Sequence, residues 1–113
     1  MPDCLFCNFV DRKLPKDFIF EDSEMAAFRD IHPKAATHLL LIPKRHIPTL
    51  TQVTTDDAGL LGRLFYRVTK LAEQEGIDKT GYKIVINTGR HGGQVIDHLH
   101  IHLLGGEPVK TLV

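Results

Sequence analysis

Three histidines alternate with apolar residues near the C-terminus, in the segment His98-Leu99-His100-Ile101-His102. Residues two apart on a β-strand point to the same face, so this spacing predicts three imidazoles in one row, about 6.5–7 Å apart. Leu99 and Ile101 would then face the core. Such a row can bind a metal ion, or it can supply a nucleophile and hydrogen-bond donors to a phosphate. A solvent-exposed face that is merely rich in histidine is disfavoured by the strict alternation.

A glycine-rich segment, Thr88–Gly93, lies just before the histidine row and favours phosphate chemistry. Glycine lets backbone N–H groups approach an anion closely, so Gly92, Gly93 and Gln94 can cradle a phosphate. The segment alone would be an ordinary turn. A histidine is nucleophilic only when neutral, which its usual pKa of about 6.5 allows at neutral pH. Its second ring nitrogen then needs an acceptor, such as a backbone carbonyl, to fix the tautomer.

Cys4 and Cys7 are the only cysteines, and two residues separate them. This spacing suits a pair of metal ligands or a redox pair better than a long-range structural disulfide. A redox role is disfavoured because no thioredoxin-like βαβ pattern surrounds the pair. With no signal peptide and no apolar run near the ~20 residues that span a bilayer, we expect a reducing, cytoplasmic setting and no membrane partner.

The elements that must position these residues are short strands and one long helix. Six apolar residues recur on one helical face and predict a helix from about Thr55 to Glu75; they are Leu61, Leu64, Phe65, Val68, Leu71 and Ala72. The other predicted elements are a short helix or turn over Cys4–Arg12 and strands over Phe18–Glu21, Met25–Arg29, His38–Ile42, Tyr82–Asn87 and Val95–Leu104. Together they predict an α+β fold, with an antiparallel sheet, one long helix packed against it and a short N-terminal helix.

Length and charge narrow the class of protein. The 113 residues predict a single domain, residues 1–113, that can bury a core without disulfides. The 14 lysines and arginines equal the 14 aspartates and glutamates in number. We therefore expect no nucleic acid as partner, because no charge of one sign dominates the surface.

The His98–Leu104 pattern, His-x-His-x-His followed by two apolar residues, resembles the signature of the histidine triad (HIT) proteins. The resemblance covers nearly the whole chain and is closest to the Hint branch, the histidine triad nucleotide-binding proteins. Further matching segments are Phe28–Ile31, Thr37–His46, Ile86–Gly89, Gly92–Gln94 and Gly105-Gly106. The resemblance implies a HIT-like fold, a homodimer, and a purine nucleotide of the AMP or GMP type as ligand, with no organic cofactor. The long helix and the Tyr82–Asn87 strand are the expected dimer interface.

The resemblance also implies a role for each site residue. His100 would attack the α-phosphorus, forming a nucleotidyl-histidine that water resolves. Asp30 would bind the ribose hydroxyls, with Ile31 beside the nucleoside and with Phe6 and Phe28 as walls for the base. The other implied pocket residues hold the phosphate or complete the imidazole array, and they are His38, Asn87, Gly93, Gln94, the backbone of Val95, His98 and His102.

Some HIT relatives bind a structural zinc, and the corresponding ligands here would be Cys4, Cys7, His46 and His98. Two thiolates and two imidazoles form a closed tetrahedral site, which favours a structural role over a catalytic one. If zinc binds, His98 is a ligand rather than a phosphate contact, so its two implied roles compete.

The resemblance predicts a hydrolase or transferase that converts purine nucleoside 5′-phosphoramidates, or related phosphoanhydrides, to the nucleoside monophosphate. The alternatives are a nucleotide-binding regulatory protein with incidental turnover, a dinucleoside polyphosphate hydrolase, and a metalloenzyme using the histidine row. Two departures from close Hint relatives bear on rate and substrate preference. Val95 replaces a small polar residue, and Asp97 stands where an aromatic residue is common.

Overall fold

A computed structural model describes residues 3–110 and shows one five-stranded antiparallel sheet with two helices. In chain order the elements are helix α1 (Leu5–Val10), strands β1 (Phe20–Glu21), β2 (Met25–Arg29) and β3 (Thr37–Pro43), helix α2 (Ala58–Gln74), and strands β4 (Tyr82–Val85) and β5 (Ile101–Gly105). The strands lie in the order β1-β2-β3-β5-β4. The predicted α+β fold, with its long helix and short N-terminal helix, is confirmed. That residues 1–113 form one domain stays a prediction, and residues 1–2 and 111–113 lie outside the described residues.

The two faces of the sheet are covered by different helices. Alternate residues of β2, β3 and β5 pack with α2 in one buried cluster, which includes Ala27, Leu39, Leu41, Ile101 and Leu103. The residues between them on β2 and β3 pack with the N-terminal segment in a second cluster, which includes Ala26, Phe28, Leu40, Ile42 and Phe6. The face under α2 is therefore aliphatic, whereas the face under α1 carries the aromatic rings and the histidines.

Helix α2 follows a short 3-10 turn, Thr55–Asp57, whose first backbone groups are capped. The Asp57 carboxylate accepts from the Thr54 N–H at 2.9 Å, in a reciprocal capping box. The prediction that Phe65 belongs to the buried face of α2 is wrong, because its side chain is 43% exposed. The four buried positions of the helix are Leu64, Val68, Leu71 and Ala72. Within residues 3–110, no helix is long and apolar enough to cross a membrane.

The β1–β2 hairpin forms where a polar link joins two apolar segments. The Asp22 carboxylate accepts from the backbone N–H groups of Glu24 at 2.8 Å and Met25 at 2.9 Å, which closes the turn. Strand β1 begins at Phe20 instead of the predicted Phe18.

Two further predicted strands, β4 and β5, are also shorter than expected. Strand β5 begins at Ile101 instead of Val95, so His102 is the only histidine of the row that lies on a strand. Before Ile101 the backbone turns away, because the N–H of Leu99 donates to the carbonyl of Ile47 at 2.7 Å. Strand β4 accordingly ends at Val85, which pairs with His102, and not at Asn87.

Candidate active site

His100 immediately precedes β5, and the backbone fixes the orientation of its ring. Its Nδ1 is 2.7 Å from the main-chain oxygen of His98. A carbonyl can only accept, so Nδ1 carries the hydrogen and Nε2 carries the lone pair. The expectation that a backbone carbonyl fixes the tautomer is confirmed. His100 is 7% exposed and lines a cavity, so the ring is buried yet accessible to a ligand from one side.

His102 and His38 form a chain of hydrogen bonds that fixes two further tautomers. The backbone N–H of Lys34 donates to His38 Nδ1 at 3.0 Å, so the hydrogen of a neutral His38 is on Nε2. The His38 Nε2 atom lies 2.9 Å from His102 Nδ1, to which it donates, and 3.4 Å from an Asp30 carboxylate oxygen. Burial lowers the pKa of His38 and lowers the pKa of His102 to about 4, so both rings are neutral at pH 7. The remaining hydrogen of His102 is therefore on Nε2, where it can be donated to a ligand.

A cavity of about 360 Å³ opens in front of His100 and His102. Its aromatic wall is built from Phe6, Phe9 and Phe28. The Phe6 ring packs edge-on against His100, with ring centres 5.3 Å apart, and against Phe28 at 5.4 Å. The cavity therefore has a polar, imidazole end and an apolar, aromatic end, which suits a ligand with one polar and one apolar part.

The predicted pocket residues fall into three sets. Those that line the cavity together with His100 are Asp30, Ile31, Asn87, Gly93, Val95 and His102. Ile31 and Val95 are 74% and 90% exposed and form part of its mouth. His38 lines a neighbouring cavity of about 410 Å³ that shares Asp30, Asn87 and His102 with the first. Gln94 and His98 belong to neither lining.

Gln94 contacts the loop instead of the cavity. Its side-chain oxygen accepts from the Gly89 N–H at 2.9 Å, and its amide donates to the carbonyls of Pro48 and Ile96 at 2.7 and 3.0 Å. Asn87 donates to the carbonyl of Gly92 at 2.8 Å. Gly93 has a φ of +80°, a backbone conformation that favours glycine. These contacts hold the glycine-rich segment against the imidazole end of the cavity.

His98 turns its ring away from the cavity, towards the cysteines. Its Nε2 donates to the carbonyl of Pro43 at 2.8 Å, so the Nδ1 lone pair faces Cys4 Sγ at 3.2 Å and Cys7 Sγ at 3.6 Å. His46 Nδ1 lies 3.3 Å from Cys7 Sγ. The four ligand atoms all lie within 4.8 Å of one another. This group of Cys4, Cys7, His46 and His98, the metal group, could hold a metal ion.

The surroundings of the metal group favour a cation that accepts thiolates. Burial is the main cause that raises the pKa of the Cys7 thiol to about 11 and lowers the pKa of His98 to about 4. A metal ion would bind the deprotonated thiol and the neutral imidazole, so it offsets the cost of burying them. The Pro43 carbonyl supplies the outer hydrogen bond that orients a histidine ligand.

Sequence reasoning missed several residues of the cavity, and three of them lie at its aromatic wall. Leu5, Phe9 and Lys16 line it beside the predicted aromatic residues. Leu5 and Phe9 lie one turn apart on α1, so the helical spacing around Phe6 could have identified them. Lys16 lies between α1 and β1, where no local pattern predicts which way its side chain points.

Comparison with known proteins agrees with this geometry. Residues 11–109 match the HIT domain family. The chain is 45% identical over 111 residues to a purine nucleoside phosphoramidase of Escherichia coli (strain K12), with 98% of this chain and 93% of that protein covered. A HIT family hydrolase from Legionella pneumophila has a TM-score of 0.91 and 48% identity, covering 93% of this chain and 94% of that one.

A further similar structure was solved with zinc bound. A zinc-bound histidine triad family protein from Mycobacterium smegmatis has a TM-score of 0.80 and 28% identity, covering 99% of this chain and 81% of that one. Because the family match spans residues 11–109 and the fold agrees throughout, the chain belongs to the histidine triad (HIT) family.

Proposed function

We propose that this protein hydrolyses purine nucleoside 5′-phosphoramidates, or related phosphoanhydrides, to the nucleoside monophosphate. The observation that carries the proposal is the tautomer of His100, whose Nδ1–H is held by the His98 carbonyl while the ring lines the cavity. A neutral imidazole with a free Nε2 lone pair at an accessible position is a competent nucleophile towards phosphorus. The phosphoramidase of E. coli, 45% identical over nearly the whole chain, supports the choice of substrate.

The reaction takes two displacements at phosphorus. In the first, the Nε2 lone pair of His100 forms a bond to the α-phosphorus, and the leaving nitrogen departs with the electrons of the P–N bond and takes a proton from water. In the second, water oxygen attacks phosphorus and Nε2 regains its lone pair. One water molecule is consumed, its hydrogen ending on the amine and its hydroxyl on the phosphate. The His98 carbonyl stabilises the positive charge that the His100 ring carries in the intermediate.

Other side chains bind and orient the nucleotide. The His102 Nε2–H donates to a phosphate oxygen, and His38 keeps it in that tautomer. Asp30 accepts from the ribose hydroxyls, and Ile31 lies against the nucleoside. Backbone N–H groups at Gly93 and Val95, with Asn87, line the phosphate. Gln94 acts by holding the loop, since its amide already has three backbone partners.

The test is to incubate the protein with adenosine 5′-phosphoramidate, following AMP release and trapping the intermediate on His100 by acid-free mass spectrometry. We expect turnover and a nucleotidyl adduct on the wild type, and neither on His100→Ala. Turnover that persists in the variant would exclude the histidine nucleophile. Tight AMP binding without turnover by the wild type would favour the nucleotide-binding regulatory protein.

We also propose that the metal group binds Zn²⁺. Two cysteine thiols and two imidazole nitrogens are the ligands of closed structural zinc sites, and the four donors of this group fit that set. Zinc would clamp α1 to the sheet, because two ligands flank its first turn and the other two follow β3 and precede β5. The free, buried thiols suit a reducing cytoplasm, which we propose as its location.

A homodimer completes the proposal. Phe65 and Tyr66 on α2, and Tyr82 and Ile84 on β4, are 43%, 58%, 36% and 38% exposed. Strand β4 is also an edge strand, so a partner could cover both this apolar surface and the open edge. Sedimentation equilibrium should give a dimer for the wild type and a monomer for Ile84→Lys.

A further inference from the structure

Lys16 places a positive charge on the aromatic end of the cavity. Its ammonium nitrogen lies 5.0 Å from the ring centre of Phe28 and 5.3 Å from that of Phe9, within the range of a cation–π contact. Within residues 3–110, its ammonium forms no ion pair with a carboxylate. The side chain is half-buried and lines the cavity, so the charge faces the space that a ligand would fill.

The other cations of the cavity are already engaged. The Arg29 guanidinium forms two hydrogen bonds to the Glu75 carboxylate, at 2.9 and 3.0 Å. The Lys34 ammonium donates to the carbonyl of His32 at 3.1 Å. Lys16 is therefore the cation best placed to form a new hydrogen bond with a ligand.

A chain of ring contacts fixes where Lys16 lies relative to the nucleophile. His100 packs against Phe6, Phe6 packs against Phe28, and Phe28 lies under the Lys16 ammonium. A nucleotide with its phosphorus at His100 and its ribose at Asp30 would extend its base along these rings. The far edge of the base would then face Lys16, whose side chain would have to move off the ring faces to reach it.

We propose that Lys16 selects purines with a carbonyl oxygen at position 6, such as guanine and hypoxanthine, over adenine, an inference that rests on the proposed function. An ammonium group can only donate hydrogen bonds. Guanine offers acceptors at O6 and N7, whereas adenine offers N7 and an amino group whose hydrogens repel the cation. The selection is thus for the 6-oxopurine nucleotides.

The test compares three substrates in four proteins. The substrates are the 5′-phosphoramidates of guanosine, inosine and adenosine; inosine has the 6-carbonyl without the 2-amino group of guanosine. The proteins are the wild type, Lys16→Met, Lys16→Arg and Lys13→Met. Methionine keeps the apolar stem and removes the charge. Lys13 is an exposed lysine outside the cavity lining, so its variant controls for net charge.

We expect the wild type to favour guanosine and inosine over adenosine by about tenfold in kcat/KM. The ratio should fall to near one in Lys16→Met, and persist in Lys16→Arg and Lys13→Met. An unchanged ratio in Lys16→Met, or a wild type that favours adenosine, would overturn the inference.

Calorimetric binding of GMP, IMP and AMP to the same proteins separates this inference from the proposed function. If no substrate is hydrolysed but the monophosphates bind with the Lys16-dependent preference, the proposed function fails and the selection by Lys16 stands. If all three substrates are hydrolysed and the ratio of their kcat/KM values does not depend on Lys16, the proposed function stands and the selection by Lys16 fails. If no nucleotide binds, both fail.

Discussion

His98, which belongs to the metal group, and His100, which faces the cavity, lie two residues apart in the chain. Their rings nevertheless use opposite nitrogens to bind the backbone. His98 donates from Nε2 to the Pro43 carbonyl, which leaves Nδ1 directed at the thiols. His100 donates from Nδ1 to the His98 carbonyl, which leaves Nε2 directed at the cavity. The carbonyl that accepts from each ring therefore decides which nitrogen is left free, facing the thiols in His98 and the cavity in His100.

The change with the largest expected effect should lower activity while leaving the metal group intact. His100→Ala should lower turnover of adenosine 5′-phosphoramidate by at least about 10³-fold, because it removes the nucleophile. Zinc content should stay at the wild-type value, because no ligand of the metal group changes. The measurements are kcat and zinc by atomic emission. A variant that loses its zinc would show that the regions are not separable.

Cys7→Ser is the complementary change and should act mainly on stability. A metal ion at about 100 times its dissociation constant contributes about 2.7 kcal/mol, so losing it should lower the Tm by roughly 10–20 °C. Differential scanning calorimetry with zinc and with chelator measures this. The wild type should respond to zinc and Cys7→Ser should not. Equal responses from the two proteins would contradict the assignment of Cys7 as a ligand.

Phe6 joins the two regions, since its ring contacts both His98 at 5.8 Å and His100 at 5.3 Å between ring centres. Phe6→Leu should cost about 1–2 kcal/mol in the free energy of unfolding through imperfect packing. It should also lower kcat about tenfold, because His100 loses the aromatic ring that packs against it and helps to position it.

Phe18→Leu is the matched control, because Phe18 packs on Phe28 in the same cluster and has no ring contact with a histidine among the described residues. It should lower stability while leaving kcat near the wild-type value. Equal losses of kcat in the two variants would show that Phe6 has no specific effect on His100.

The last effect is absent at neutral pH and develops only on acidification, because it concerns the pH dependence of stability. Burial lowers the pKa of His102 to about 4 in the folded protein, against an ordinary value of about 6.5 in the unfolded chain. Between these values the unfolded chain binds more protons, so stability falls as pH decreases through this window. The stability that comes from a neutral His102 is fully present above the pKa of the unfolded chain, and it is lost as pH falls through the pKa of the folded protein.

Urea unfolding of the wild type and His102→Asn between pH 7 and pH 4 tests this expectation. The stability difference between them should narrow as pH falls, since asparagine does not titrate. His91→Asn, at an exposed turn, is the control for replacing a histidine by asparagine outside the site. A difference that does not change with pH for His102→Asn would show that His102 is not held neutral by burial.

Local patterns predicted most of the fold. Apolar spacing predicted α2, and polar residues between apolar segments predicted the β1–β2 hairpin. The ends of β4 and β5 could not be predicted, because they depend on a distant acceptor, the Ile47 carbonyl that binds the Leu99 N–H. The exposure of Phe65 likewise depends on how far the sheet reaches under α2.

The residue types of the site were predictable from the sequence, but the directions in which their side chains point were less so. Alternation identified His100 and His102. The CxxC spacing identified the two cysteines, and the family resemblance added His46 and His98, which meet them in the metal group. Neither pattern shows that His98 turns from the cavity or that Gln94 binds the loop. A side chain's direction follows from its hydrogen-bond partners. The Pro43 carbonyl that binds His98 and the Pro48 carbonyl that binds Gln94 both lie tens of residues away in the chain.

Helix α1 has six residues, too few to be stable as an isolated helix. Three of them, Leu5, Phe6 and Phe9, form one wall of the cavity. We therefore expect the sheet and α2 to fold first and α1 to dock last, on contacts with Phe28 and the metal group. In a refolding experiment, nucleotide affinity would then appear as the slowest signal, after the secondary structure of the sheet has formed.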